Sequence, residues 1–294
     1  YPWPEFNRVL YESTDLVNCH SYLTYEMVNE RFPEKTNFIP HALPDNLFFP
    51  ITDPGFNKKE VKASLIGKER EDHFIGLWVN RNAKRKRPAD VLVSWKTFLE
   101  KLEEEHGHKN ATLIMHCDPH DGPNLLMTSE MLGLNDHVFF SNQRLDFDKM
   151  NILYNISDFC MNISYAEGFG LPTLEAMMAG VPIVAVKTGG LTRQVVDHRD
   201  GSENGAAIDV SVKTLVGSQQ VPYIYEDYAS EEDIANGILK IYNLSPEERE
   251  SLSKKVLDYA RSEFSYQKTV DMWDETLTNL IENWEYKSWE CQTF

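Results

Sequence analysis

Glu167-Gly168-Phe169-Gly170-Leu171-Pro172-Thr173-Leu174-Glu175 is the stretch on which the reading of this chain turns. An apolar run over 158–163 precedes it and a helical pattern over 171–179 follows, so it spans a strand-to-helix turn. Gly168 and Gly170 let the backbone come close to a ligand and take φ values closed to other residues. Pro172 suits the first turn of a helix. The free N–H groups there, with the positive end of the helix dipole, form an anion site. Glu167, just before the turn, and Glu175, a turn and a half into the helix, are placed to hydrogen-bond the hydroxyls of a sugar or ribose. Either acid alone has a plainer reading, as a partner of the helix dipole or a solvated loop residue. Two glycines and two acids around one turn favour a binding role.

Working outward, strand and helix patterns alternate. A strand over 15–19 leads to a helix over 22–31 and a strand over 36–40. Pro, Gly and Asp then gather between 42 and 72, with one short helix near 58–65, and this stretch reads as a linker. A second series opens with the buried-strand run 74–79. The helix after it places Val91, Leu92, Trp95, Phe98, Leu99 and Leu102 on one face. Strands over 112–115, 137–140, 158–163 and 181–186 alternate with helices over 124–132, 146–155 and 171–179. This spacing predicts an α/β fold, a parallel sheet covered on both faces. Residues 201–228 read as irregular and loop-rich. The remainder is helical: Ser230 caps one helix, Ser245-Pro246-Glu247-Glu248 forms a capping box, and a last helix covers 266–286. Its aromatic end (Trp273, Trp284, Tyr286, Trp289, Phe294) reads as core or docking surface, with docking preferred from Trp284 onward.

A basic cluster follows the 74–79 strand. Five of the seven residues from Arg81 to Arg87 are Arg or Lys, in a chain of 29 basic and 46 acidic residues and net charge −17. Cations at a helix start oppose the dipole, so the placement is costly unless an anion is bound. Phosphate binding is therefore preferred over a solvated helix start or a basic localisation tag.

The same balance excludes other classes. So acidic a chain is a poor general binder of nucleic acid or anionic membranes. No apolar run is long enough to span a bilayer and no leader is visible. The four dispersed cysteines read as reduced, and the expected location is cytoplasmic. His116-Cys117-Asp118-Pro119-His120 matches no zinc spacing well, and Asp146-Phe147-Asp148 reads as a helix cap rather than a metal-binding acidic pair. No nucleotide-binding P-loop and no G-x-S-x-G elbow is present.

Glu167 and Glu175 form an E-x7-E pair inside EGFGLPTLEAMMAGVPIVA, and Arg81 and Lys86 lie five apart after a strand. Together these resemble the carboxy-terminal half of the retaining glycosyltransferases of glycosyltransferase family 4, enzymes of GT-B fold with two Rossmann-like domains. The likeness continues through TDLVNCHSYLTYEMVNERF and NFIPHALP on one side and GGLTRQVVD on the other. It implies that residues 1–45 are the end of an amino-terminal acceptor domain and 46–72 a linker. It further implies a nucleotide-sugar-binding domain over 73–265, and over 266–294 a helix crossing back to the first domain. It implies too that roughly the first 150 residues of a typical two-domain enzyme are not in this stretch, judging by usual domain size, and Tyr1-Pro2-Trp3-Pro4 reads as the start of a fragment. Departures from the family pattern are Asn80 in place of glycine, the His116–His120 turn, and the long segment 201–228.

The resemblance implies transfer of a hexosyl group from a nucleoside diphosphate sugar to an acceptor hydroxyl, with retention and with neither metal nor cofactor. Arg81 and Lys86 would hold the diphosphate, and Glu167 the transferred sugar. Gly168 lies in the donor-binding turn, and backbone N–H groups of Phe169, Gly170 and Leu171 would meet sugar and phosphate. Glu175 would bind the ribose, and Asn142, Gln143 and Arg144 the base. The partners expected are the nucleotide sugar, an acceptor of open identity, no nucleic acid, and the missing domain or a partner chain. Two alternatives stand: a sugar-nucleotide epimerase of the same fold, and a non-catalytic binding or scaffold module.

Overall fold

A computed structural model describes residues 4–220 and 223–286. The chain enters through α1 (Arg8–Ser13), β1 (Val17–Cys19), α2 (Tyr22–Asn29) and β2 (Thr36–Phe38). Ser21 starts α2 by accepting from the Thr24 N–H. Strands β1 and β2 pair in parallel, Val17 opposite Thr36, over a small core of Cys19, Val28 and Phe32. Helix α3 (Lys58–Ile66) follows, capped by Asn57.

The main series is β3 (Phe74–Val79), α4 (Pro88–His106), β4 (Ala111–His116), α5 (Leu125–Met131), β5 (Val138–Ser141) and α6 (Phe147–Ile156). It continues with β6 (Phe159–Asn162), α7 (Leu171–Met178), β7 (Ile183–Val186), α8 (Thr192–Val195) and β8 (Gly205–Ile208). The chain then forms β9 (Val212–Val216), β10 (Ile224–Tyr228), α9 (Glu231–Tyr242), α10 (Pro246–Glu263) and α11 (Tyr266–Glu282).

Strands β3 to β8 form one parallel sheet in the order β5-β4-β3-β6-β7-β8. Side-chain alternation along each strand feeds two cores. Phe74 and Trp78 of β3 join Trp95, Phe98 and Ile238 of α4 and α9 on one face. Ile75 and Leu77 join Tyr154, Met177 and Tyr259 of α6, α7 and α10 on the other. Each such large apolar side chain contributes about 1.5–3 kcal/mol by leaving water, which is why the buried strands read as nearly continuous apolar runs. The α/β parallel sheet expected from the sequence is thus present.

One reading changes. Residues 201–228 are not loop throughout: the described ones include β8, the edge strand of the main sheet, and the antiparallel pair β9–β10. Gly205-Ala-Ala-Ile208 is too short and small-sided to show a strand pattern in sequence. The stretch read as a linker is held along α6. Asn151 accepts from the Phe49 N–H (3.1 Å), Asn155 accepts from the Ile51 N–H (2.8 Å), and the Phe48 ring packs on Tyr154. Helix α11 buries none of its residues, and Asn37 of β2 donates to its Thr276 (3.1 Å). Trp284 and Tyr286 are exposed; Trp289 and Phe294 lie outside the described residues.

Candidate active site

The strand order reverses between β3 and β6, and a ligand crevice opens at the carboxyl ends of strands at such a point. The loops leaving these two neighbours carry the basic cluster and Glu167. After β3, the chain makes a tight 3-10 turn over Lys84–Lys86, and Arg87 then caps α4, with Pro88 at its first position. Lys86 is buried, and its Nζ donates to Glu167 Oε2 in a close contact. Arg85 Nη1 stands 3.9 Å from the other Glu167 oxygen. Asn162 Nδ2 and Ser164 Oγ both approach Glu167 Oε2 at 3.5 Å, so polar groups at the end of β6 and just after it flank the carboxylate. Burial lowers the Lys86 pKa, and the Glu167 charge opposes that shift.

The glycine turn is braced from behind by the segment after β7. Gly170, at φ +93, caps α7, and a Cβ there would meet Leu191 Cδ2 at 2.7 Å. Gly190 donates its N–H to the Glu167 carbonyl (3.0 Å), and a Cβ on it would stand 2.4 Å from Phe169 Cα. Gln194 Nε2 donates to the Phe169 carbonyl (2.8 Å), and Thr173 Oγ1 donates to the Gly170 carbonyl (2.7 Å). The Phe169 ring lies between His41 (5.1 Å) and Phe264 (5.5 Å). Gly168 faces open space and Leu171 is exposed. Helix α7 begins with no side-chain cap, which leaves its first N–H groups for a ligand. Further along, Tyr154 donates its hydroxyl to Glu175 (2.6 Å), and burial raises the Glu175 pKa.

Lys86, Glu167 and the Gly168–Leu171 turn therefore come together, while other candidates stand apart. Arg81 is mostly exposed and its Nε donates to Asp121 (2.8 Å) on the loop after β4. Asn142, Gln143 and Arg144 are exposed after β5. Asn142 and Gln143 line a cavity of about 610 Å³ between α3 and α6, together with Phe139, Leu145, Ile152 and Leu65. That cavity shares no lining residue with the Lys86–Glu167 pair. Of the weaker signals, His116 hydrogen-bonds Ser141 across β4 and β5 (2.9 Å), and Asp118 accepts from the His120 N–H (2.8 Å) in a local turn. Asp146 caps α6 through the Lys149 N–H (2.9 Å).

Tyr154, Thr173, Gln194 and Gly190 were not singled out from sequence. Gly189-Gly190 followed by Gln194 carried a usable signal, because paired glycines after a strand mark a close backbone approach.

A family model described as "Glycosyl transferases group 1" matches residues 62–258. Among curated proteins, the chain is 28% identical over 193 residues to a mannosylfructose-phosphate synthase of Agrobacterium fabrum, covering 64% of this chain and 41% of that protein. It is 26% identical over 256 residues to an N-acetyl-alpha-D-glucosaminyl L-malate synthase of Bacillus anthracis, covering 79% and 61%. The chain thus spans less than two thirds of the length of either relative. Among solved structures, Anabaena HepE in complex with UDP-glucose aligns with TM-score 0.71 at 18% identity, covering 94% of this chain and 68% of that one. A sucrose-phosphate synthase from Thermosynechococcus elongatus aligns with TM-score 0.70 at 21% identity, covering 95% and 61%. With a family match that spans its whole main sheet and structural neighbours of GT-B fold, this chain belongs to the group 1 glycosyl transferases, of the glycosyltransferase family 4 type.

Proposed function

We propose that the chain binds a nucleoside diphosphate sugar at the β3–β6 crevice and transfers its hexosyl group to an acceptor hydroxyl with retention. The observation that carries this reading is the buried Lys86–Glu167 pair beside the uncapped start of α7. A buried ion pair is a costly element unless its members have another use. Here the lysine can pass from the carboxylate to an arriving diphosphate, which releases Glu167 to accept from a sugar hydroxyl. The first N–H groups of α7 point at the same anion. Arg81 joins the diphosphate by leaving Asp121, an exposed pair that costs little to break. Glu175, held by Tyr154, accepts from the ribose hydroxyls, and Asn142, Gln143 and Arg144 flank the base.

The bond from the anomeric carbon to the diphosphate breaks with its electron pair going to the phosphate oxygen. Lys86, Arg81 and the helix start stabilise that charge as it grows, so they act most strongly in the transition state. The acceptor oxygen attacks on the same face, and its proton passes to the departing phosphate oxygen. Positive side chains neutralise the diphosphate in place of a metal ion.

Calorimetry with UDP, GDP and ADP tests the reading. One nucleotide is expected to bind and to lose at least about tenfold affinity, some 1.4 kcal/mol, in Glu175→Ala. In transfer assays Lys86→Ala is expected to lower kcat more than it raises KM. Wild-type transfer in both variants would overturn the site. A new sugar nucleotide formed without acceptor would indicate epimerisation instead.

A further inference from the structure

Arg87 is the one non-glycine residue at positive φ among the described residues, at φ 55. The left-handed region is strained for such a side chain and persists where surrounding contacts over-determine it. Those contacts are present. Arg87 Nε donates to Asp90 Oδ2 (2.8 Å), and Nη2 donates to the Ala229 carbonyl (3.1 Å). Its guanidinium carbon lies 4.9 Å from the ring centre of Tyr165 and 5.8 Å from that of Tyr228. The two rings are themselves 4.3 Å apart. The cation is buried against two aromatic rings, where such contacts are strongest.

The two ring partners come from different segments, the loop after β6 and the end of β10. Arg87 follows Lys86 directly. Tyr165 lies two residues before Glu167, and its N–H donates to the Arg85 carbonyl (2.9 Å). Strand β10 closes the arrangement: the Asp227 N–H donates to the Tyr165 carbonyl (2.8 Å). Asp227 Oδ2 also accepts from the buried Thr188 hydroxyl (2.7 Å), next to the glycines that brace Glu167. A glycine would take this backbone conformation without strain. Arginine brings in exchange a side chain that reaches both the Glu167 segment and β10.

We propose that Arg87 is a positioning residue that clamps the basic turn bearing Lys86 against the segment bearing Glu167, with Tyr165 and the β10 residue Tyr228 as its jaws. The proposal rests on the reading of Lys86 and Glu167 as the donor site, and it gives the β9–β10 pair a part in that site. Arg87 touches no reacting atom; it acts through the geometry of the pair.

The test follows the 13Cε resonance of Lys86 through a pH titration of 13C-lysine-labelled protein, with Lys86→Arg to assign it. Arg87→Gly keeps the backbone path and removes the clamp. Its Lys86 midpoint is expected to move by about half a pH unit or more while the far-ultraviolet circular dichroism stays that of the wild type. Arg87→Lys, which keeps the cation, is expected to move it less. Tyr228→Leu removes one jaw without touching the basic turn, and is expected to move the midpoint in the same direction. The charged neighbours of Lys86, Glu167 and Arg85, remain in all of these variants. An unmoved midpoint in folded Arg87→Gly or Tyr228→Leu overturns the proposal, whatever the melting temperature does, since a merely structural contact would lower melting alone. Nucleotide calorimetry on wild type and Lys86→Ala reads the donor site separately. If Lys86→Ala binds nucleotide unchanged while Arg87→Gly moves the midpoint, the clamp stands and the donor-site reading falls.

Discussion

Glu175 is a carboxylate that the fold makes costly. Burial raises its pKa above the ordinary 4.5, and the hydrogen bond from Tyr154 opposes the shift without cancelling it. The folded chain therefore holds this proton more tightly than the unfolded chain does. Its stabilising contribution is complete below the ordinary carboxylate range and is lost as pH rises through the higher folded value. At neutral pH the ionised group is a net cost, tolerated where a ligand hydroxyl would later share it. Glu175→Gln keeps an acceptor for Tyr154 and removes the charge. Thermal melts should show it stabilised at pH 7.5, by about 0.5–2 kcal/mol, and close to wild type near pH 4. An equal shift at both pH values would remove the buried charge from this account. The sequence showed Glu175 at its place in the turn but not Tyr154, because α6 lies 21 residues away and reaches it only through tertiary packing.

At the scale of elements, the crevice depends on the close stacking of two loops. The Glu167–Gly170 turn rests on Gly189 and Gly190, where added Cβ atoms would collide with backbone, not with movable side-chain ends. Gly190→Ala must displace Phe169, so it is expected to weaken nucleotide binding at least about tenfold, or 1.4 kcal/mol. The same variant should destabilise the fold by about 1–3 kcal/mol. Calorimetry and urea unfolding on one preparation separate the two effects, and unchanged binding would mean that the turn tolerates displacement. Much of this layer was legible in sequence. The alternation that places β3 and β6 is local and strong, and the glycine turn and basic cluster each follow a strand end. The β9–β10 pair and β8 were not legible. Gly205-Ala-Ala-Ile208 gains its strand character only from the neighbouring β7, and β9 is exposed along most of its length, so no buried stripe marks it. Arg81 shows the other limit: it lies five residues before Lys86 in the chain, yet its partner is Asp121, a choice made by a loop that no local pattern predicts.

At the scale of the whole molecule, the three cores differ greatly in extent. The faces of the main sheet carry two large clusters containing the biggest buried side chains, Trp78, Trp95, Tyr154 and Tyr259. The β1–α2–β2 unit buries only Cys19, Val28 and Phe32 in its own cluster. It is fastened to the rest by a few contacts: the Arg193 guanidinium 3.5 Å over the Tyr22 ring, His41 against Phe169, and Asn37 to Thr276. Opening free energy follows buried apolar contact, so this unit should open by itself well below the free energy of global unfolding. Native-state hydrogen exchange is expected to show amides of β1 and β2 exchanging through such a partial opening, and those of β3, β4 and β6 only through global unfolding. Because Phe169 touches both His41 and the site turn, a nucleotide that orders the turn should also slow exchange in β1 and β2. Equal protection across both sheets would show that the small unit and the main sheet unfold as one, with the His41–Phe169 contact carrying more than its area suggests.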